Sequence, residues 1–176
     1  MSMEAYRHPE YYDIAFAVAD AAREVDFFEA AIRQFSRASV HRVFEIACGT
    51  APYLAEWQRR GYRYCGLDLS PAMLDRARAK AAGLGIAADF LAGDMRDFAR
   101  ATVGPVDLAY VLLGSIYVGS NREFLAHLER VADVLAGQAQ TLARVPPAEW
   151  YERAASFEKA LCRARGSQRP RSNGHR

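Results

Sequence analysis

The chain has 176 residues, of which 51% are hydrophobic and 25% are charged. This length suffices for one domain with a substantial core, and the composition excludes a disordered or fibrous protein. The formal net charge is +2, but residues 1–158 carry more acidic than basic groups, because the last 18 residues contain only basic ones. The acidic body argues against a nucleic-acid-binding surface across the fold.

The sequence shows no sign of a membrane or a metal. No apolar stretch is long enough to cross a bilayer, and the first residues lack the basic and then apolar order of a secretion signal. We therefore expect a cytoplasmic protein. Cys48, Cys65 and Cys162 form no metal-binding spacing, and their odd number favours reduced thiols.

Two helices are predicted at the start of the chain. The first lies at roughly 9–20 and is unusually rich in aromatic residues. The second covers 24–36, where apolar residues at helical spacing alternate with charged ones and predict an amphipathic helix. These apolar residues are Val25, Phe28, Ile32 and Phe35.

Strands and helices then alternate along the chain. Buried strands are predicted at 42–47, 62–69, 88–93 and 106–114. Helices are predicted at 52–61, 70–85 and 121–136, the second capped by Ser70 and the third by Ser120 or Asn121. This alternation implies parallel strands joined by right-handed crossovers. We therefore predict an α/β protein with a Rossmann-like, doubly wound, mostly parallel sheet.

The pattern changes after residue 136. Residues 1–136 are predicted to form the core and its N-terminal helices. Residues 137–165 are interpreted as a divergent segment that is helical over 148–165, and its one strand-like run is TLARV at 141–145. Residues 166–176 are predicted to be a disordered basic tail.

Each predicted strand ends in a polar or small residue, at the edge where doubly wound sheets bind ligands. Asp68 lies 19 residues after Gly49, where an acceptor-only carboxylate can take both hydroxyls of a ribose. Glu45 would compensate a cationic amine or sulfonium and would repel a pyrophosphate. Ala47 and Ala51 interrupt the GxGxxG pattern of a dinucleotide loop, which argues against a nicotinamide oxidoreductase.

Four segments in order resemble the cofactor motifs of class I S-adenosylmethionine-dependent methyltransferases. They are VFEIACGTAPY, GLDLSPAMLDRARAK, FLAGDMRDF and VDLAYVLLGS. HPEYYDIAF is similar to the N-terminal lid segment of some members, so the resemblance covers about residues 5–136. It implies transfer of a methyl group from S-adenosylmethionine to a small-molecule acceptor. No general base is obligatory in this chemistry, and no catalytic residue is identified.

The resemblance also implies which residues contact the cofactor. Glu45, Ala47 and Gly49 would lie near its methionine part, and Tyr11 and Tyr12 would be lid aromatics that close over the sulfonium. The other implied contacts are to the ribose (Asp68), to the adenine (Leu69, Asp94, Met95) and beside the transferred methyl group (Leu112, Leu113). Ordinary packing is an alternative for Tyr12 and Met95, and helix capping is an alternative for Asp68.

Two features depart from the family pattern. Ala47 and Ala51 stand where the family usually has glycine, which ordinary backbone dihedrals would permit. After the helix at 121–136, the family continues with a fifth strand, another helix and a final hairpin, so we expect a fold truncated relative to the seven-stranded one. Residues from about 137 would be a divergent or frameshifted replacement. The uncovered sheet edge would then favour self-association, and the alternative function is a non-catalytic binding module with a partial cofactor pocket.

Overall fold

In the computed structural model of the chain, the described residues are 8–17, 19–36, 38–112, 115–116, 118–135 and 140–141. All of them belong to the unit Met1–Arg144. The predicted helix at 148–165 and the predicted tail at 166–176 lie outside the described residues, as does Leu113.

The predicted order of elements from the first helix to residue 136 is confirmed. The helices are α1 (Pro9–Phe16), α2 (Ala21–Phe35), α3 (Leu54–Arg59), α4 (Pro71–Leu84), α5 (Arg100–Val103) and α6 (Asn121–Val134). The strands are β1 (Arg42–Ile46), β2 (Arg63–Asp68), β3 (Asp89–Ala92), β4 (Leu108–Val111) and β5 (Gln140–Thr141). The four-residue helix α5 was not predicted. No helix among the described residues is long and apolar enough to span a membrane.

Serine side chains fix where the two long helices after β2 begin. The Ser70 hydroxyl accepts a hydrogen bond from the Met73 amide, and the Ser120 hydroxyl accepts one from the Glu123 amide. Each bond satisfies an amide of the first turn that has no partner within the helix. The structure therefore selects Ser120, rather than Asn121, as the cap of α6.

The strands form one sheet in the order β3-β2-β1-β4-β5, and every pairing is parallel. The central strand β1 sets Glu45 beside Gly66 of β2 and beside Tyr110 of β4. The chain moves outward from β1 to β3 and then returns to β4, so the strand order reverses between β1 and β4. Ligands bind at such a reversal, outside the carboxyl ends of the strands.

Apolar side chains cover both faces of the sheet. Successive residues of β1 point to opposite faces, so Val43 packs in one core with Phe28 and Trp57, while Phe44 packs in the other with Val131. The first core lies beneath α2, α3 and α4, and the second beneath α5 and α6. The fold is therefore a Rossmann-like, doubly wound α/β sheet, as predicted.

The outer edge of β4 is paired over part of its length. Leu108 and Ala109 pair with Gln140 and Thr141 of β5. The strand-like run TLARV contributes only its first residue to the described strand, and its other residues lie outside the described part of the chain. The outer edge of β4, which we expected to be uncovered, is thus paired over two residues with β5.

We predict that Gly66→Ala lowers the free energy of unfolding by about 1–3 kcal/mol, because the core has no space for a methyl group there. A Cβ at Gly66 would lie 2.7 Å from the Cys48 Sγ and 3.2 Å from a ring carbon of Tyr64. Gly83→Ala is the matched control, since a Cβ at Gly83 meets nothing within 4 Å. The control should raise stability by about 0.5–1 kcal/mol in urea denaturation. Equal effects of the two changes would contradict this packing.

Candidate functional site

The Asp68 carboxylate joins the carboxyl ends of β1 and β2. Its Oδ2 accepts a hydrogen bond of 2.8 Å from the Gly49 amide, and its Oδ1 accepts one of 2.8 Å from the Ser70 amide. Burial raises the pKa of Asp68 above its ordinary value, although the amide hydrogen bonds oppose that shift. A carboxylate has about four acceptor positions, so Asp68 retains capacity for further donors while it holds the loop 47–51.

Glu45 lies beneath this loop with 3% of its surface exposed. Its Oε2 accepts a hydrogen bond from the Tyr64 hydroxyl and another, of 3.1 Å, from the Tyr110 hydroxyl. The Trp57 indole N–H donates to the Tyr110 hydroxyl at 2.8 Å. The carboxyl group is thus held by aromatic side chains from both strands that flank β1, and sequence reasoning did not predict these partners.

Burial raises the pKa of Glu45 to about 8, although the two tyrosine hydrogen bonds oppose the shift. The negative charge of Asp68 raises it further, and the Lys80 ammonium lowers it. The carboxyl is therefore mostly protonated at neutral pH. A positive group nearby would favour the ionised form.

The loop 47–51 has a left-handed backbone at three alternate residues. The φ angles are 58° at Ala47, 55° at Gly49 and 51° at Ala51. The condition under which alanine would be readily tolerated at these two positions, ordinary backbone dihedrals, is therefore not met. An alanine Cβ crowds the following carbonyl in this region, at a cost of roughly 1–2 kcal/mol per residue, and glycine avoids that crowding.

Tyr12 lies directly over the loop. A Cβ built on Gly49 would be 2.9 Å from the Tyr12 Cε1 and 3.2 Å from its Cζ. The ring stacks on Phe16 with 4.4 Å between centroids. In this structure the missing side chain at Gly49 thus admits the Tyr12 ring, whereas Tyr11 remains 54% exposed.

The next residue, Asp13, ties α1 to α4. Its Oδ2 accepts a hydrogen bond of 2.7 Å from the Arg76 Nε, and its Oδ1 accepts one of 3.1 Å from the Lys80 ammonium. Lys80 also donates to the Thr50 carbonyl at 2.8 Å. Burial would raise the pKa of Asp13, but its interactions with Thr50, Arg76 and Lys80 hold it below its ordinary value. The helical pattern of α4 gave no signal for these contacts.

The residues predicted to meet adenine have different surroundings. Leu69, the residue after β2, is 65% exposed. The Asp94 carboxylate accepts hydrogen bonds from the backbone amide and the guanidinium of Arg96, and these bonds lower the pKa of Asp94. Met95 packs partly buried against the second core, and its carbonyl accepts a hydrogen bond of 2.8 Å from His127 Nδ1. Asp94 and Met95 therefore already have protein partners.

The segment after β4 is described only in part. Leu112 is buried, with 7% of its surface exposed, and it packs in the first core. The backbone amide of Ser115 donates to the Leu112 carbonyl at 3.1 Å. Leu113 lies outside the described residues.

The chain is similar to known methyltransferase proteins. Residues 43–138, more than half of the chain, match the model of a family described as a methyltransferase domain. A 60-residue stretch is 47% identical to the carboxy-S-adenosyl-L-methionine synthase of Wolinella succinogenes and covers 32% of this chain and 25% of that protein.

Two solved structures share the fold. The S-adenosylmethionine-bound amino pentose methyltransferase from Micromonospora echinaspora is 26% identical with a TM-score of 0.64, over 76% of this chain and 55% of that chain. The sugar N-methyltransferase from Streptoalloteichus sp. is 26% identical with a TM-score of 0.64, over 75% of this chain and 52% of that chain. The similarity thus spans about half the length of these two proteins.

We predict that Glu45→Gln flattens the pH dependence of stability. The unfolded chain releases the Glu45 proton near pH 4.5, while the folded protein holds it to about pH 8. The free energy of unfolding therefore falls as pH rises through this window, by up to about 1.4 kcal/mol per pH unit from this group. Urea titrations of both proteins at pH 5, 6.5 and 8 measure the difference.

The control for this prediction is Glu56→Gln. Hydrogen bonds from Arg59 and the other contacts of Glu56 lower its pKa to about 2. Its contribution is lost only as pH falls below about 4.5, so this variant should stay parallel to the parent between pH 5 and 8. A Glu45→Gln curve that is also parallel to the parent would contradict the assigned protonation.

We predict that Ala47→Gly raises the free energy of unfolding by about 0.5–1 kcal/mol. Relief of the left-handed strain exceeds the extra backbone entropy that glycine brings to the unfolded chain. Ala79→Gly is the control, because Ala79 is exposed on α4 in ordinary helical geometry, and it should lower stability by about 1 kcal/mol. If both changes destabilise equally in urea, the strain at Ala47 is absent.

Proposed function

The chain belongs to the methyltransferase domain family, and on this basis we propose that it binds S-adenosylmethionine and transfers its methyl group to a small-molecule acceptor. The observation that carries the proposal is the hydrogen bond of 2.8 Å from the Gly49 amide to the Asp68 carboxylate. This bond places an acceptor-only side chain beside the loop at the carboxyl ends of β1 and β2.

The residues of this edge fit the parts of the cofactor. Asp68 has acceptor capacity for the ribose hydroxyls, and the exposed Leu69 side chain offers an apolar surface to the adenine. Glu45, beneath the loop, would favour a cationic amino-acid end by ionising. Ala47 and Gly49 would form the backbone wall on that side. Each of these assignments is a proposal that follows from chemistry and position.

Methyl transfer from S-adenosylmethionine requires little from the protein beyond alignment of the donor and the acceptor. Bound S-adenosylmethionine supplies a methyl group that its sulfonium has already activated. The residues of the chain therefore need to orient the donor and the acceptor and to exclude water. The Tyr12 ring, which lies over Gly49, would contact a cation through its π face and shield the loop from solvent.

Four further residues keep their proposed roles as cofactor contacts. Asp94 could accept a hydrogen bond from the adenine amine while it remains paired with Arg96. Met95 would contribute mainly through its backbone, because its side chain packs against the second core. Leu112 and Leu113 would line the region of the transferred methyl group.

The proposed acceptor is a small molecule with a nucleophilic amine. Both similar structures named above are methyltransferases of amine-bearing or sugar substrates, so amino sugars are the first acceptors to test. The matched synthase, whose name is that of a carboxylated S-adenosylmethionine, supports a cofactor of this class more than the reaction. We propose the cytoplasm as the site of action.

We predict that the chain binds S-adenosylmethionine and that Asp68→Ala weakens this binding by at least about tenfold, because the ribose loses its acceptor and the loop loses its anchor. Isothermal titration calorimetry measures both affinities, and NADH serves as a ligand that should not bind. Asp75→Ala is the matched control, since Asp75 is an exposed acid on α4, the helix that follows β2, and it pairs only with Arg78 among the contacts described for it.

Two results would contradict the proposal in different ways. Wild-type chain that binds neither S-adenosylmethionine nor NADH would exclude both enzyme classes. Binding without formation of S-adenosylhomocysteine in the presence of amino-sugar acceptors would support the alternative, a cofactor-binding module that does not transfer the methyl group.

A further inference from the structure

Lys80 connects two parts of the candidate site that are far apart in sequence. It lies on α4, and its ammonium donates to the Thr50 carbonyl at 2.8 Å and to the Asp13 carboxylate at 3.1 Å. Thr50 belongs to the loop after β1, and Asp13 belongs to α1. One cation therefore holds the loop and the N-terminal helix at the same time.

Lys80 contacts Asp13 and Thr50, and each of these directly follows a residue of the contact between α1 and the loop. Tyr12 precedes Asp13, and Gly49 precedes Thr50. The Tyr12 ring lies against Gly49, with 2.9 Å between its Cε1 and a Cβ built at that position. Two consecutive residues of α1 are thus connected to two consecutive residues of the loop, Tyr12 by direct contact with Gly49 and Asp13 through Lys80 to Thr50.

The surroundings make these bonds stronger than those of an ordinary surface lysine. The side chains of Lys80 and Asp13 are 26% and 20% exposed, and Thr50 is fully buried. Ion pairs that are partly removed from water are less screened than exposed ones, and charged donors form the stronger hydrogen bonds. The Thr50 carbonyl also lies between two left-handed residues, Gly49 and Ala51, where a fixed carbonyl restrains the strained turn.

Arg76 provides a contrast on the same helix. Its Nε donates to Asp13 Oδ2 at 2.7 Å, one helical turn before Lys80. The described hydrogen bonds and ion pairs of Arg76 involve α1 alone, and none of them involves the loop. Arg76 therefore anchors the helix, whereas Lys80 couples the helix to the loop.

We propose that Lys80 is a positioning residue of the cofactor site, which holds the Thr50 carbonyl and the Asp13 carboxylate together and thereby keeps Tyr12 over Gly49. This inference rests on the proposed function, because the loop and Tyr12 are its proposed cofactor contacts. Lys80 would act through them without touching the cofactor. The Lys80 ammonium also lowers the pKa of Glu45, although burial has the larger and opposite effect. The charge of Lys80 therefore also acts on the carboxyl group beneath the loop.

The test compares Lys80→Met with Arg76→Met in the full chain without ligand. Hydrogen–deuterium exchange measures the amides of residues 9–17 and 47–51. Lys80→Met should speed exchange about tenfold in both segments, because it releases both. Arg76→Met should speed exchange in 9–17 alone. Similar exchange patterns in the two variants, or an unchanged loop in Lys80→Met, would overturn the proposal.

Calorimetry with S-adenosylmethionine supplies the second measurement. Lys80→Met should weaken binding about tenfold, and Lys80→Arg, which keeps a cation, should recover most of that loss. Equal affinity of Lys80→Met and the parent would overturn the positioning role. If the parent binds no S-adenosylmethionine, the proposed function fails, while the exchange comparison still decides whether Lys80 couples α1 to the loop.

Asp13→Asn serves if Lys80→Met does not fold. It weakens the link to α1 and leaves the bond from Lys80 to the Thr50 carbonyl. Exchange should then rise in residues 9–17 and stay unchanged in 47–51, with weaker cofactor binding through the loss of Tyr12 placement. Unchanged exchange in residues 9–17 would overturn the proposal, since Asp13 would then not hold the helix.

Discussion

The hydrogen bonds of the Asp68 carboxylate are the interaction on which the geometry of the site depends. One oxygen takes the Gly49 amide and the other takes the Ser70 amide, so the loop after β1, the end of β2 and the start of α4 share one fixed group. A carboxylate bound by backbone amides on both oxygens has a defined orientation. Because α4 carries Lys80, the same fixed group also sets where Lys80 can reach the loop.

The loop 47–51 has buried carboxyl groups close to it and strained backbone within it. Two carboxyl groups lie against it, Asp68 beside the loop and Glu45 below, and burial raises the pKa of both because it disfavours their charged forms. The loop itself stores unfavourable backbone conformations at Ala47 and Ala51. Strained backbone at a site persists only where its surroundings over-determine it, and here the surroundings are the Asp68 bonds and the Lys80 bond to Thr50. A cationic ligand would stabilise the ionised forms of the two carboxyl groups, whereas a phosphate would destabilise them further.

The sequence was sufficient for the order of the elements other than α5 and for the sheet edge at which we propose the site, but not for the contacts within it. The four long strands and the helices other than α5 follow from apolar periodicity and serine caps, which are local signals. The partners of Glu45 are Tyr64 and Tyr110, 19 and 65 residues away, and strand register alone brings them together. Alanine gives no indication of a left-handed backbone, so the strain at Ala47 could not be predicted. Lys80 looked like any charged residue on a helix, because its two acceptors lie on other elements.

The Cys48 thiol matters for the proposed chemistry, because the protein could methylate it in place of the acceptor. Its thiol belongs to the loop beside the proposed methyl donor, and a thiolate there would be an acceptor. The residue is 1% exposed, and its Sγ packs where a Cβ on Gly66 would stand only 2.7 Å away. Burial, followed by the charges of Glu45 and Asp68, raises the pKa of Cys48 well above its ordinary value, so the sulfur stays a neutral thiol. On the proposed function, this close packing of two small residues would protect the loop from self-alkylation.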